Sequence, residues 1–203
     1  MRISILGVFW LLALFFSSNI IFAEDASFSA SYSAQIQPTG NDIGVSRVTP
    51  DSSLYFLKTV RENIELRLAL TPHVKLVRQL EFATRRLRES KSLVGTHEDL
   101  IIPTMERYWY HLSRLPVIDS ATLIIHLEVL QNIYDRLINP QAKLSIRSVI
   151  NKTSKRPDLP TFAKISVCFF LQKEATNSAI TETERAILLE RAGDCFKETG
   201  HKI

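Results

Sequence analysis

Glycine is scarce in this chain, with six in 203 residues, too few for a fold of many short strands joined by tight turns. None of the six sits in a phosphate-cradling loop, and no serine occupies a nucleophile elbow. Cysteine is rarer still, and Cys168 and Cys195 lack the Cys-x-x-Cys spacing of a redox pair. Neither charge dominates. The net charge of +4 is too mild to demand a nucleic-acid partner. The histidines are His73, His97, His111, His126 and His201, and no two stand at i and i+4. His97-Glu98-Asp99 opens like a zinc-protease helix, but Ile101 stands where the second histidine would be. His111 and His126 meet only if tertiary packing brings them together, and histidines satisfied in the core or on the surface are the expectation. Glutamates are plentiful along the helices and no pair is singled out. The sequence therefore assigns no catalytic residue, no metal and no cofactor.

What is present is an ordinary globular composition. Apolar residues at 45% and charged residues at 23% imply a packed core rather than a disordered chain. The length suits one domain, or two small ones. The N-terminus differs from the rest. Met1-Arg2 precedes an apolar run from Ile3 to Phe16, then Ser17-Ser18-Asn19 and Ile20 to Ala23, before Glu24-Asp25. A basic start, a short apolar stretch and a small residue before a polar one have the layout of a secretory signal peptide over residues 1–23. Carried through to Ala23 the run would just span a bilayer, so a retained N-terminal anchor is the alternative. Either way the remainder is expected to work outside the cytoplasmic membrane, secreted or held in the cell envelope. Residues 24–47 are rich in Ser, Ala, Gln and Asn without apolar periodicity and read as a flexible linker. An extended arm packed on the domain is the other reading.

From Val48 the texture becomes helical, with six to seven helices expected in an all-α bundle. Pro50-Asp51-Ser52-Ser53 offers a helix entry, and Leu57, Val60, Ile64 and Leu68 recur at the spacing of a buried stripe. Thr71-Pro72 opens a second helix to about residue 93, lined by Leu76, Leu80, Ala83 and Leu87. A third runs from about Glu98 to Leu115 through Ile101, Met105, Trp109 and Leu112, with Pro103 kinking it or marking its true start. Asp119-Ser120 caps a fourth, and Asn139-Pro140 begins a fifth that reaches about Asn151. A polar loop from Lys152 to Leu159 then separates a helical domain, 48–151, from a C-terminal hairpin, 152–203. Pro160 leads the hairpin's first helix, with Phe162, Ile165 and Phe169, and Thr181-x-x-Glu184 is a capping box for its second.

In an oxidising compartment Cys168 and Cys195, one on each helix of that hairpin, are expected to pair. Closing this loop stabilises the fold by about 3.5 kcal/mol in the chain-entropy picture. Lys75, Arg78, Arg85 and Arg86, continued by Arg88 and Lys91, form a basic stripe on the second helix, a candidate site for an anionic surface polymer or membrane. Glu81 and Glu89 flank Arg85 at four residues and partly neutralise it, so a solvated helix face is the simpler reading. In Tyr108-Trp109-Tyr110, only Trp109 falls on the apolar stripe, which suggests bundle core and rim rather than a ligand platform.

Thr49-Pro50-Asp51-Ser52-Ser53-Leu54-Tyr55-Phe56-Leu57-Lys58 resembles the Thr-Pro-Asp-Ser-x-Leu-Tyr-x-Leu-Lys opening of an extracytoplasmic helical domain of unknown function. Such domains occur behind signal peptides in candidate-phyla bacteria and on some anti-sigma-type membrane proteins of actinobacteria. Ala83-Thr84-Arg85-Arg86-Leu87-Arg88-Glu89 is similar to the Ala-x-Arg-Arg-Leu-x-Glu of that domain's second helix, and His126-Leu127-Glu128-Val129-Leu130 to a later one. The resemblance covers about residues 48–150. It implies an exported, mostly helical envelope protein and supplies no catalytic residues, with Tyr55 pinning a helix entry and the arginines pairing between helices. The resulting expectation is a non-catalytic interaction or scaffold module whose partner is another envelope protein or an anionic polymer. No nucleic acid is expected, and membrane contact comes only through the N-terminal segment. A ligand or metal sensor is the alternative, and a hydrolase of envelope polymers a third. A contiguous exposed apolar patch, for instance around Tyr108 and Tyr110, would mark the first.

Overall fold

The computed structural model describes residues 43–178 and 180–200. The expected signal peptide and most of the 24–47 linker lie outside the described residues. Seven α-helices follow in order: α1 (Tyr55–Leu68), α2 (Pro72–Leu93), α3 (Ile101–Leu112), α4 (Ser120–Arg136), α5 (Pro140–Ser154), α6 (Thr161–Ala175) and α7 (Glu182–Thr199). A 3₁₀ turn, Glu98–Leu100, leads into α3. No strand occurs among the described residues.

The helix starts follow their capping chemistry. Thr71 accepts from the Val74 N–H at 3.2 Å with Pro72 at the first helical position, and Asp119 accepts from Thr122 at 3.0 Å. Asn139 takes two backbone donors, Gln141 at 2.9 Å and Ala142 at 3.2 Å, ahead of Pro140. Each such cap is worth about 1 kcal/mol. Pro103 falls in the first turn of α3, where its missing N–H would have had no helical partner, so it marks the start and kinks nothing. Thr181 caps α7 through the Glu184 N–H at 3.2 Å, yet the Glu184 carboxylate reaches across to Arg147 on α5 rather than back to Thr181. At the far end Gly200 adopts φ 68°, the left-handed conformation that closes a helix.

The tightest pairings are α2 with α3 and α6 with α7, with α4 on α5 and α5 against α3. One continuous core includes Leu87, Ile101, Met105, Leu130, Ile146, Val167, Leu171 and Phe196, so the C-terminal hairpin shares the hydrophobic interior of the helices before it. The stretch expected as a polar loop is partly structural: α5 runs on to Ser154, and Arg156 and Leu159 are buried. Arg156 donates to the last carbonyl of α3, Leu112 at 3.2 Å, and to that of Leu115 in the turn beyond it at 3.0 Å, while Asp158 accepts from the Ile118 N–H at 2.6 Å. A charged pair therefore closes the C-terminal end of α3.

Cys168 and Cys195 form a disulfide with Cα atoms 5.5 Å apart, linking α6 to α7. In the aromatic run Tyr108 is fully buried and Trp109 only half-buried, because α3 turns the Tyr108 side toward α4 and α5. Phe162 and Phe169 face outward on α6, whose buried side carries the smaller Ala163, Val167 and Ala175. The larger departure is in α1. Leu57, Val60, Ile64 and Leu68, spaced as a buried stripe, are 51%, 49%, 50% and 69% exposed.

Candidate functional site

At about 100° per residue, α1 carries two stripes. Phe56, Leu57, Val60, Ile64 and Leu68 share one arc of about 120°, and Tyr55, Lys58, Glu62 and Glu65 lie on the opposite side. The polar side is the one turned inward, with Tyr55 and Glu62 buried. It is received by an equally polar stripe of α2, on which Arg86, Glu89 and Ser90 are buried.

The two sequence motifs meet in this seam. The Tyr55 hydroxyl donates to Glu89 Oε2 at 3.0 Å and accepts from Arg107 Nη1 of α3 at 2.9 Å and from Arg86. One donated bond and two accepted ones use the full capacity of a phenol. Burial, and then the negative charge of Glu89, push its pKa up to about 12, so the proton stays on the hydroxyl. Lys58 Nζ pairs with Glu89 Oε1 at 2.5 Å and donates to the Val48 carbonyl at 3.1 Å. Arg86 Nη2 sits 2.5 Å from both oxygens of Glu62. Arg86 Nη1 is 3.0 Å from Glu89 Oε2. Each buried carboxylate thus has cations from two directions, the condition under which buried charge is tolerated.

The basic stripe of α2 is dispersed by this arrangement. Lys75 is exposed near the start of the helix. Arg78 pairs with Glu81 at 2.7 Å. Arg85 binds Glu81 and approaches Glu62 at 3.4 Å, its guanidinium 5.0 Å from the Phe82 ring. Burial opposes ionisation of Glu81, but the Arg78 hydrogen bond and the Arg85 charge outweigh it and hold the carboxyl below its usual range. Arg86 is an interior residue. The four side chains do not form one anion-binding face. Sequence reasoning missed the buried roles of Glu62 and Glu89. Their signal was present: Tyr55, Lys58, Glu62 and Glu65 recur at three and four just as the leucines do.

Two openings flank the seam. A cleft of about 380 Å³ between α1, α2 and α3 is lined by Glu62, Asn63, Phe82, Glu106, Arg107 and His111 among others. A groove of about 520 Å³ on the other side is lined by Arg47, Lys58, Arg61, Arg85 and Arg88 with Val45, Leu54 and Leu57, and no carboxylate lines it.

His126 is buried between Thr84 Oγ1 at 3.2 Å and the Tyr108 hydroxyl at 3.3 Å. The Thr84 proton goes to the Leu80 carbonyl at 3.0 Å, so Nε2 must donate to Thr84 and Nδ1 accept from Tyr108. His111 Nδ1 meets Gln79 Oε1 at 2.6 Å. Among the described residues no three metal-binding side chains gather in one place. Burial first, and then the Arg88 charge, push the His126 pKa down from 6.5 to about 4. The unfolded chain therefore takes up this proton more readily than the folded one. Stability from His126 is complete above pH 6.5 and falls as pH drops toward about 4. The loss is a few kcal/mol at most. His126→Gln should flatten the fall in urea midpoint between pH 6.5 and 4.5, while an unchanged slope would contradict this account.

The chain matches the family described as Domain of unknown function (DUF5667) over residues 47–153. That segment contains every member of the α1–α2 seam and ends before the disulfide-linked hairpin. No curated protein and no solved structure matches the chain. A match over more than half of its length, carried by the segment whose two motifs converge on Tyr55, Arg86 and Glu89, makes this chain a member of the DUF5667 family.

Proposed function

We propose that this protein is an exported, non-catalytic interaction module of the bacterial cell envelope, and that the outward face of α1 is its contact surface. The observation that carries this reading is the orientation of α1. A helix ordinarily buries its apolar stripe and solvates its charges. Here charges hold the helix to the body while Phe56, Leu57, Val60, Ile64 and Leu68 face outward, continued by Leu54 and Leu70. A contiguous patch of this kind marks a binding surface on a folded domain. It lies on α1 rather than around Tyr108, which the core absorbs. The apolar run behind Arg2 and the paired cysteines support export.

The test places a photo-crosslinking amino acid at Val60, or at exposed Lys155 as reference, in the full chain expressed in cells. The expected result is an adduct at position 60, absent at 155, in an envelope fraction where the chain begins at Glu24 or retains its anchor. No adduct of any kind at position 60, or a cytoplasmic chain, would overturn the reading.

A further inference from the structure

We propose that the outward face of α1 docks on an anionic lipid bilayer, lying in the headgroup region with phosphates seated in the adjoining arginine groove. The proposal rests on the reading of α1 as the contact surface and names what covers it. Along α1 and the turn into α2 the acids are turned inward: Glu62 and Glu89 are buried, and Glu65 and Glu81 are half-buried beside Arg85. Arg61 at one rim of the apolar arc, Arg67 within it and Lys75 at the start of α2 are exposed, Arg61 in an ion pair with Glu65 at 2.6 Å, and Arg47 lies at the groove. Asp51, at the N-terminal end and 3.9 Å from His97, and Glu106, in the cleft on the other side of α1, are the exposed acids that adjoin it. An apolar arc bordered by arginine and lysine is the design of a helix that lies in a membrane interface. Fourteen residues give α1 about 21 Å of length, and among the described residues no helix is long and apolar enough to cross a membrane. It would lie on the surface, not span it.

The groove is the second and independent observation. Its walls include Leu54 and Leu57, which adjoin the same apolar face, and no carboxylate lines it. Lys58, Arg61 and Arg85 are paired with Glu89, Glu65 and Glu81 behind it, which leaves Arg47 and Arg88 as the cations offered to an anion there. Arg88 gives Nε to the Ile43 carbonyl at 2.6 Å, which fixes that guanidinium at the groove. Apolar wall beside clustered cations matches acyl chain beside phosphate. A second copy is a poorer occupant, since pairing two α1 faces would bring the exposed Arg67 of both copies into one apolar seam, Arg61 being held by Glu65 at 2.6 Å.

An environment-sensitive fluorescent amino acid at position 60, and separately at 155, reads the contact in the full chain with phosphatidylglycerol-containing or purely phosphatidylcholine vesicles. A spin-labelled lipid with its quencher just below the headgroups reports depth. The expected result is quenching at 60 and none at 155, only with phosphatidylglycerol. Arg61→Gln with Arg67→Gln should weaken that association about thirtyfold with an unchanged far-ultraviolet circular dichroism spectrum. No quenching at 60, or equal quenching at 60 and 155, would overturn the proposal, the latter leaving the N-terminal apolar run as the tether. A protein adduct or self-adduct in the crosslinking experiment would also overturn it while keeping α1 as the contact surface, whereas no adduct at all would remove that surface itself.

Discussion

Arg86→Ala is expected to destabilise the fold by about 3–5 kcal/mol, and to release α1 first. Arg86 is 2% exposed and stands between Glu62 and Glu89, 7% and 0% exposed. Its removal leaves Glu62 without its closest cation, leaves Glu89 to Lys58 alone, and empties one acceptor site on Tyr55. Truncating one member of a buried charge cluster costs more than the cluster contributes, because the partners remain desolvated. Arg86→Lys keeps a point charge but cannot span Glu62, Glu89 and Tyr55 together, so an intermediate loss is expected.

The location of the loss is as diagnostic as its size. Helix α1 rests mainly on α2, and its apolar face stays about half or more exposed. Hydrogen-exchange protection should therefore collapse in α1 while the core of α3, α4 and α5 stays protected. A drop below 1 kcal/mol in urea unfolding, with α1 still protected, would sink the account of the seam. Replacing Glu62 by Gln in the Arg86→Met background should cost less than the two separate losses added, since the two side chains share one interaction.

The second large effect concerns the hairpin. Reducing the Cys168–Cys195 bridge, which closes a separation of 27 residues, should cost about 3.5 kcal/mol by loop-closure entropy. Cys168 lies in the core, and Cys195 packs against it. The double variant Cys168→Ser, Cys195→Ser should cost somewhat more than reduction, because two hydroxyls replace sulfurs in an apolar setting. Urea midpoints measured with and without a thiol reductant decide the matter: they should separate for the native chain and coincide for the double variant. Coincident midpoints in the native chain would show that the bridge contributes nothing.

Much of the fold was legible because helix boundaries are local chemistry. Thr71-Pro72, Asp119-Ser120, Asn139-Pro140 and Thr181 each place a side-chain acceptor or a fixed φ beside the chain's own first turn, and no distant residue is needed to read them. The disulfide was legible for a related reason, since a hairpin brings its two helices together whatever else they touch. The phase of α3 was harder. Tyr108 and Trp109 are one residue apart, and neighbours on α4 and α5 chose Tyr108, whose hydroxyl meets His126. The inward turn of Arg85 and Arg86 lay beyond the sequence because Glu62, their partner on α1, stands more than twenty residues away.

The sequence by itself determined an all-α fold of six to seven helices, most of their starts, the expected Cys168–Cys195 pairing and the existence of an apolar stripe on α1, because periodicity and capping act within a few residues. Only the tertiary structure decided which way that stripe points. Periodicity says that two sides of a helix differ and is silent on which one meets the body. On α1 the side bearing Tyr55, Lys58 and Glu62 found charge and hydrogen-bond partners on α2 and α3. That geometry, set by residues up to 52 positions apart, turned the apolar stripe outward.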